Sequence, residues 1–408
     1  MKIVSCLLLV LALGGSVQAQ GVHFEDGLSW ADIQAKAKAE NKYIFVDGFT
    51  TWCGPCRFMR DNILTQPEAG AFFNDKFISV SVQLDTTARD DRAVRSWYRD
   101  AHALMTQYNI RAFPTFLVFS PEGRPLQRIV GSRNTALLFI SAVEESFDST
   151  KQYYTKLQQY RDGRRDKDFL RKLALQAVQV YDLDNGREVA NAYLAGQTNL
   201  FNRGALEVLA KYTESSGDAR FSLFVEHAAE IDSVLGAGAA EQHVNETLVR
   251  DYVEPAFGGG YEPNWKSIKR QIAGRFPAQA EEATARGKIM YFQMKRMWSS
   301  FREAVAAYMQ QYGAHASPEE INGFSLAIFK NCSDKKCLTQ ALEWSKRTFA
   351  DKDNPYFMET YASLLYRLGN KDDAIAWEQK ALDAAGPRTK AHYQETIGKM
   401  QRGEKTWD

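Results

Sequence analysis

An apolar run, KYIFVDGF (42–49), stops four residues before the first cysteine of a CGPC tetrapeptide (53–56), which opens a helix-like stretch, RFMRDNIL (57–64). The run is too short for a buried helix and carries β-branched and aromatic residues, so it reads as a central strand covered on both faces. The cysteines then stand where a strand passes into a helix. At such a junction the N–H groups of the helix start converge on the first cysteine and stabilise its thiolate, which makes Cys53 a nucleophile. Cys56 lies one turn further, within reach of a mixed disulfide formed on Cys53. Pro55 occupies a first-turn position that needs no N–H. A zinc clip would need two more ligands, and the other cysteines, Cys332 and Cys337, lie far along the chain at a looser spacing. A structural staple closing so short a loop would stabilise little. Reversible redox exchange is the reading these residues favour.

The pattern around this junction predicts a sheet. VHFEDG is a short extended piece, and a helix follows with Ser29 and Asp32 as a capping box. FISVSVQLD (77–85), PTFLVFSPEG (114–123) and RPLQRIVG (124–131) read as strands, the last two a hairpin about Pro-Glu-Gly, and NTALLFISAVEESF reads as a closing helix. Alternating strands and helices predict an α/β domain with helices on both faces, over residues 20–150. From 151 to 408 strand-like runs stop and helical spacing continues to the end. Within 354–387, Pro355 suits a helix start and Gly369 a helix end, and a fainter copy of this segment, opening on SPEE (317–320), lies about 33 residues earlier. A period near 34 predicts stacked helical hairpins, with an irregular helical bundle as the alternative.

The first twenty residues, MKIVSCLLLVLALGGSVQAQ, have the layout of a secretory signal and predict cleavage after Ala19, which removes Cys6. Export would place the four remaining cysteines in an oxidising compartment. Cys332 and Cys337 flank the turn SDKK and are expected to form a structural disulfide, with a second redox pair as the alternative. Lys+Arg 51 against Asp+Glu 50 leaves a net charge of +1, so no overall field points to nucleic acid. No later stretch reaches the roughly 18 apolar residues of a membrane span, and the histidines show no ligand spacing, so neither membrane insertion after cleavage nor a metal site is expected.

VDGFTTWCGPC resembles the active-site segment of the thioredoxin family. NIRAFPTFLVF (109–119) resembles that family's cis-proline stretch, and VG at 130–131 the close of its last hairpin; the resemblance covers about residues 22–148. It implies a thioredoxin-like fold in which Cys53 attacks, Cys56 resolves, and Asp47 is a buried acid relaying a proton to Cys56, unless it is merely solvated. It also implies that Pro114 is cis and presents the backbone of Phe113 to a peptide, with Trp52, Gly54 and Pro55 as the other walls of the groove. The stretch 86–102, longer than a minimal member requires, is expected as a solvated helix extension or as a flap selecting partners. The segment 354–387 is similar to a tetratricopeptide repeat: Ala362, Gly369, Ala374 and Ala381 fall on its small positions, Pro387 lies one residue beyond its proline, and Glu378 stands where an aromatic is expected. With the signal-like start, these resemblances imply an exported thiol–disulfide oxidoreductase in the periplasm of a Gram-negative bacterium, reducing protein disulfides without a cofactor and drawing electrons from a membrane thiol reductase. The competing reading is a helical-repeat interaction or scaffold protein whose thioredoxin-like domain is minor or chaperone-like.

Overall fold

Strand β1 (Tyr43–Phe49) is the centre from which the sheet grows, because its alternate side chains are buried on opposite faces. The computed structural model describes residues 21–314, 316–349, 353–386 and 389–407, so the stretch expected as a signal, with Cys6, and His315 and Pro387 lie outside the described residues. β1 pairs in parallel with β2 (Phe77–Gln83) and antiparallel with β3 (Thr115–Phe119), which pairs antiparallel with β4 (Pro125–Val130), giving the order β2-β1-β3-β4. The β3–β4 turn closes where the Gly123 N–H donates to Ser120 O at 2.9 Å, with Gly123 at φ +80°, a conformation that costs a residue with a Cβ. The extended piece at Phe24 adds only an isolated bridge to Ser79, since Asp26 and Gly27 turn the chain away at once.

Period-two alternation sorts the core into two layers. Ile44, Val46, Ile78, Val80 and Leu117 pack with α1 (Trp30–Glu40), which begins in the Ser29–Asp32 capping box. Phe45, Phe77, Phe116 and Val118 face the other way, against the π-turn Met59–Ile63 that continues α2 (Gly54–Phe58) and against α3 (Pro67–Lys76). The stretch 86–102 folds into a hydrogen-bonded turn and most of α4 (Arg92–Gln107), whose buried Ala101 and Leu104 join the first layer while His102 stays exposed. Asp90 organises that turn: it accepts from Thr87, Gln83 and the Tyr98 hydroxyl, and these hydrogen bonds hold its carboxyl well below the usual range. α5 (Ala136–Glu144), capped by Thr135, completes the second layer.

The change from sheet to helices falls near residue 150, yet the chain's contacts divide it into a unit ending at Leu200 and another beginning at Phe201. Three helices, α6 (Tyr153–Arg161), α7 (Lys167–Gln179) and α8 (Leu183–Ala195), therefore belong with the sheet. They are attached by polar groups inside the packing. Gln127 of β4 accepts the Tyr153 N–H at 3.0 Å, and the Tyr153 hydroxyl donates to buried Asp182 at 2.9 Å.

The second unit is helical throughout its described residues. Its middle is tied by a buried network in which Arg286 bonds Glu282 and Glu320 while the Tyr308 hydroxyl donates to Glu282 at 3.0 Å. Toward the C-terminus, helices Pro318–Asn331, Lys335–Lys346, Pro355–Arg367 and Lys371–Ala384 run as hairpins, and Ser317 caps the first through the Glu320 N–H. Ala362, Ala374 and Ala381 are fully buried, and Gly369 turns the last pair at φ +95°. Cys332 closes the helix ending at Asn331, Cys337 stands in the first turn of the next, and the two are joined as a disulfide.

Candidate active site

Cys53 is the N-cap of α2: its sulfur accepts the Cys56 N–H at 3.0 Å, and the two cysteines form a disulfide. The helix end thus aims its first donors at the Cys53 sulfur, the arrangement that stabilises a thiolate there when the bond is reduced. Pro55 lies in the first turn, where it forfeits no hydrogen bond. Both cysteines are buried, whereas Gly54 and Pro55 between them are exposed. Just before them, Thr51 is fastened to Asp85 beyond β2, through its N–H at 3.0 Å and its hydroxyl at 2.5 Å. That anchor fixes the loop from which Trp52 projects with 68% of its surface in solvent.

Opposite Trp52 lies the chain entering β3. The Phe113–Pro114 bond is cis, and the Phe113 ring meets Trp52 edge-on with centroids 5.7 Å apart. Pro114 is buried and its carbonyl accepts the Gly131 N–H at 2.9 Å, while the Thr115 hydroxyl donates back to Ala112 O at 2.7 Å. Trp52, Gly54, Pro55 and Phe113 therefore border one partly exposed apolar rim beside the disulfide.

Asp47 lies in the sheet between Ser81 of β2 and Phe116 of β3, on the face that the π-turn continuing α2 covers. It is 5% exposed, and burial pushes its carboxyl up to about 6, against the opposing pull of the Ser81 hydrogen bond and the Arg60 charge. The Ser81 hydroxyl donates to Asp47 Oδ2 at 3.2 Å. Ser81 is itself exposed on the edge strand, beyond the point where Phe24 covers it, and lines a pocket of about 120 Å³ with Glu25, Asp26 and Gln83. A proton on Asp47 thus has a hydroxyl leading to solvent. Sequence reasoning did not single out Ser81 or Arg60; the parallel register of two apolar strands was the signal that could have placed Ser81 beside Asp47.

Cys332 and Cys337 belong to the other unit and share none of these surroundings. Among the described residues no group of three or more His, Cys, Asp or Glu could hold a metal ion, and no helix is long and apolar enough to cross a membrane.

A thiol held at a helix start, a second thiol one turn away, a buried carboxyl in the strand that leads to them and an apolar rim together suit thiol–disulfide exchange. The family model of the thioredoxin-like domain matches residues 30–144. Thioredoxin Asp f 28 of Aspergillus fumigatus is 37% identical over 97 residues, 24% of this chain and 72% of that protein. A Thioredoxin H-type protein of Fagopyrum esculentum is 29% identical over 126 residues, 31% of this chain and 92% of its own length. Thioredoxin-2 of Pyricularia oryzae is 31% identical over 96 residues, where the chain spans 45% of the relative's length. Through residues 30–144 the chain belongs to the thioredoxin-like family of thiol–disulfide oxidoreductases.

Proposed function

We propose that the protein is an exported disulfide reductase, working in the periplasm on disulfides of other proteins and recharged by a membrane thiol reductase. The observation that carries the reductive direction is the Cys53 N-cap with Gly-Pro between the cysteines, at the end of the strand that holds the buried Asp47. The same dipeptide is the one found in reducing thioredoxins. In the reduced enzyme the Cys53 thiolate attacks one sulfur of a substrate disulfide; that bond breaks and the departing thiolate takes a proton. Asp47 then accepts the Cys56 proton and the Cys56 thiolate attacks Cys53, releasing the second substrate thiol and leaving the Cys53–Cys56 disulfide. Two electrons pass to substrate, so each turnover needs a dithiol donor. Export rests on the signal-like first twenty residues, and the hairpins from Pro318 onward, read as tetratricopeptide-like, would recruit either the client or the donor.

The test is the potential of the Cys53–Cys56 pair, read by alkylation in thiol buffers with Cys332 and Cys337 replaced by Ser. Reductants of this family lie near roughly −270 mV and strong oxidants near roughly −120 mV. A value at or below about −230 mV supports the proposal; one above about −150 mV replaces it with an oxidase.

A further inference from the structure

The loop that leads to the cis-proline, Tyr108–Phe113, is not held by the sheet alone. Arg128 of β4 is 1% exposed, and its two terminal nitrogens are spent on backbone: they donate to Tyr108 O at 2.7 Å, to Asn109 O at 3.4 Å and to Tyr181 O at 3.3 Å, while the buried Nε has no partner. Tyr181 lies in the elbow between α7 and α8, so one buried cation ties the start of the loop to the helical hairpin. Asn109 and Tyr181 both stand in the left-handed region, at φ 46° and 53°, which turns their carbonyls inward to this shared donor. On the outer side, Asp184 in the first turn of α8 accepts from the Asn109 side-chain amide at 2.8 Å and from Arg111 Nη2 at 3.0 Å, while Arg111 Nε donates to Asn109 Oδ1 at 2.7 Å. The α8 N-terminus favours the carboxylate at that place. Its two acceptances fix residues two and four positions before Phe113.

We infer that Asp184 is a positioning residue for substrate, through which the α7–α8 hairpin sets the backbone at Phe113 that an incoming peptide meets. The inference rests on the chain acting as a thiol–disulfide oxidoreductase. It separates two properties of the site: the Cys53–Cys56 pair, which α2 and Asp47 govern, and the reading of a peptide backbone, which the helical hairpin governs. A disulfide without a peptide backbone should not feel the hairpin.

The experiment uses the full chain, reduced beforehand, with a disulfide-bonded peptide and separately with dithiobis(nitrobenzoate). Asp184→Ala should raise the half-saturating peptide concentration about 5- to 20-fold with the plateau rate little changed, because the loop is displaced and the thiols are not. Its rate with dithiobis(nitrobenzoate) and its cysteine potential should match those of the wild type. Asp184→Asn keeps an oxygen for Asn109 and Arg111 and should recover most of the loss. Asp184 is exposed, so neither substitution threatens the fold. A half-saturating concentration unchanged in Asp184→Ala, or equal slowing with both substrates, or a moved potential, overturns the inference. A wild-type chain that reduces neither substrate removes the reading of the site, and the inference falls with it.

Discussion

The described residues hold two cysteine pairs, one at the beginning of a helix and one across the turn between two helices, and their surroundings divide an exchange centre from a staple. Cys53 is an N-cap that receives the Cys56 N–H, next to a Trp with most of its surface exposed and at the end of the strand that carries the buried Asp47. Cys332 instead closes the C-terminal end of a helix, where the dipole is negative and opposes a thiolate. Its neighbours Lys330, Ser333, Asp334, Lys335 and Lys336 are exposed and polar, so no apolar rim receives a substrate. Arg302 of the preceding helix, Trp298–Gln311, lies 3.7 Å from its sulfur and 4.0 Å from Asp334, which ties the turn to that helix. The looser spacing of Cys332 and Cys337 already separates the pairs, and the helix end at Cys332 and the neighbouring surface set them further apart.

The comparison breaks most directly by mutation. Cys53→Ser should lower the rate of disulfide reduction at least about 10³-fold, since nothing else supplies the attacking thiolate. Replacing both Cys332 and Cys337 by Ser should leave that rate within about twofold and instead lower stability by about 2 kcal/mol, the loop-closure contribution of so short a ring. Parallel assays of reduction and of urea unfolding check both. A double variant that loses activity while still folded would make the second pair part of the electron path.

Asp47 gives the next largest effect. Its carboxyl titrates at about 6 in the fold against 3.8 in the unfolded chain, so the folded state prefers it protonated. Stability from this group is full below about pH 4, falls as pH rises to about 6, and is flat above. Asp47→Asn should therefore be more stable at pH 7 by up to about 3 kcal/mol, with no gain at pH 4. Reduction should meanwhile slow about 10- to 100-fold at pH 7, and the rise of rate through about pH 6 should vanish. Ser81→Ala should move that limb upward, because it removes a hydrogen bond to the charged form. Stability and rate measured against pH test this together; an unchanged limb in Asp47→Asn would take the acid out of the reaction.

Much of the first unit could be read from its residues because its chemistry is local. The buried run 42–49, the CGPC junction and the FPT stretch each dictate their own conformation, and the first unit assembles them side by side. The attachment of α6–α8 was not legible: it depends on Gln127 and Arg128, two polar residues in an otherwise apolar strand that find partners some 26 and 53 positions away. Ser81 was hidden for a similar reason, since only strand register puts it beside Asp47. In the helical region, small residues at repeat spacing foretold close hairpins, whereas the network of Glu282, Arg286, Tyr308 and Glu320 follows from no local pattern.

Glu378 sharpens the contrast between the units by being a buried acid of another kind. Like Asp47 it is sequestered, with no exposed surface at all, but neither of its carboxyl oxygens has a hydrogen-bond partner. Burial, with the Glu359 charge adding to it, pushes its carboxyl up to about 9, against 4.5 in the unfolded chain. The sign is that of Asp47 over a wider window: stability is full below about pH 4.5 and drains as pH rises toward 9. Glu378→Gln should stabilise the helical unit against urea at pH 8, by up to about 5 kcal/mol, and have little effect at pH 4. The amide still leaves polar atoms without partners, so Glu378→Met should gain more. Disulfide reduction should not change in either variant, because this acid has neither a hydroxyl leading to solvent nor a thiol to serve. A gain that is equal at pH 4 and pH 8 would show the benefit to be one of packing, and the likeness between the two buried acids would end at their burial.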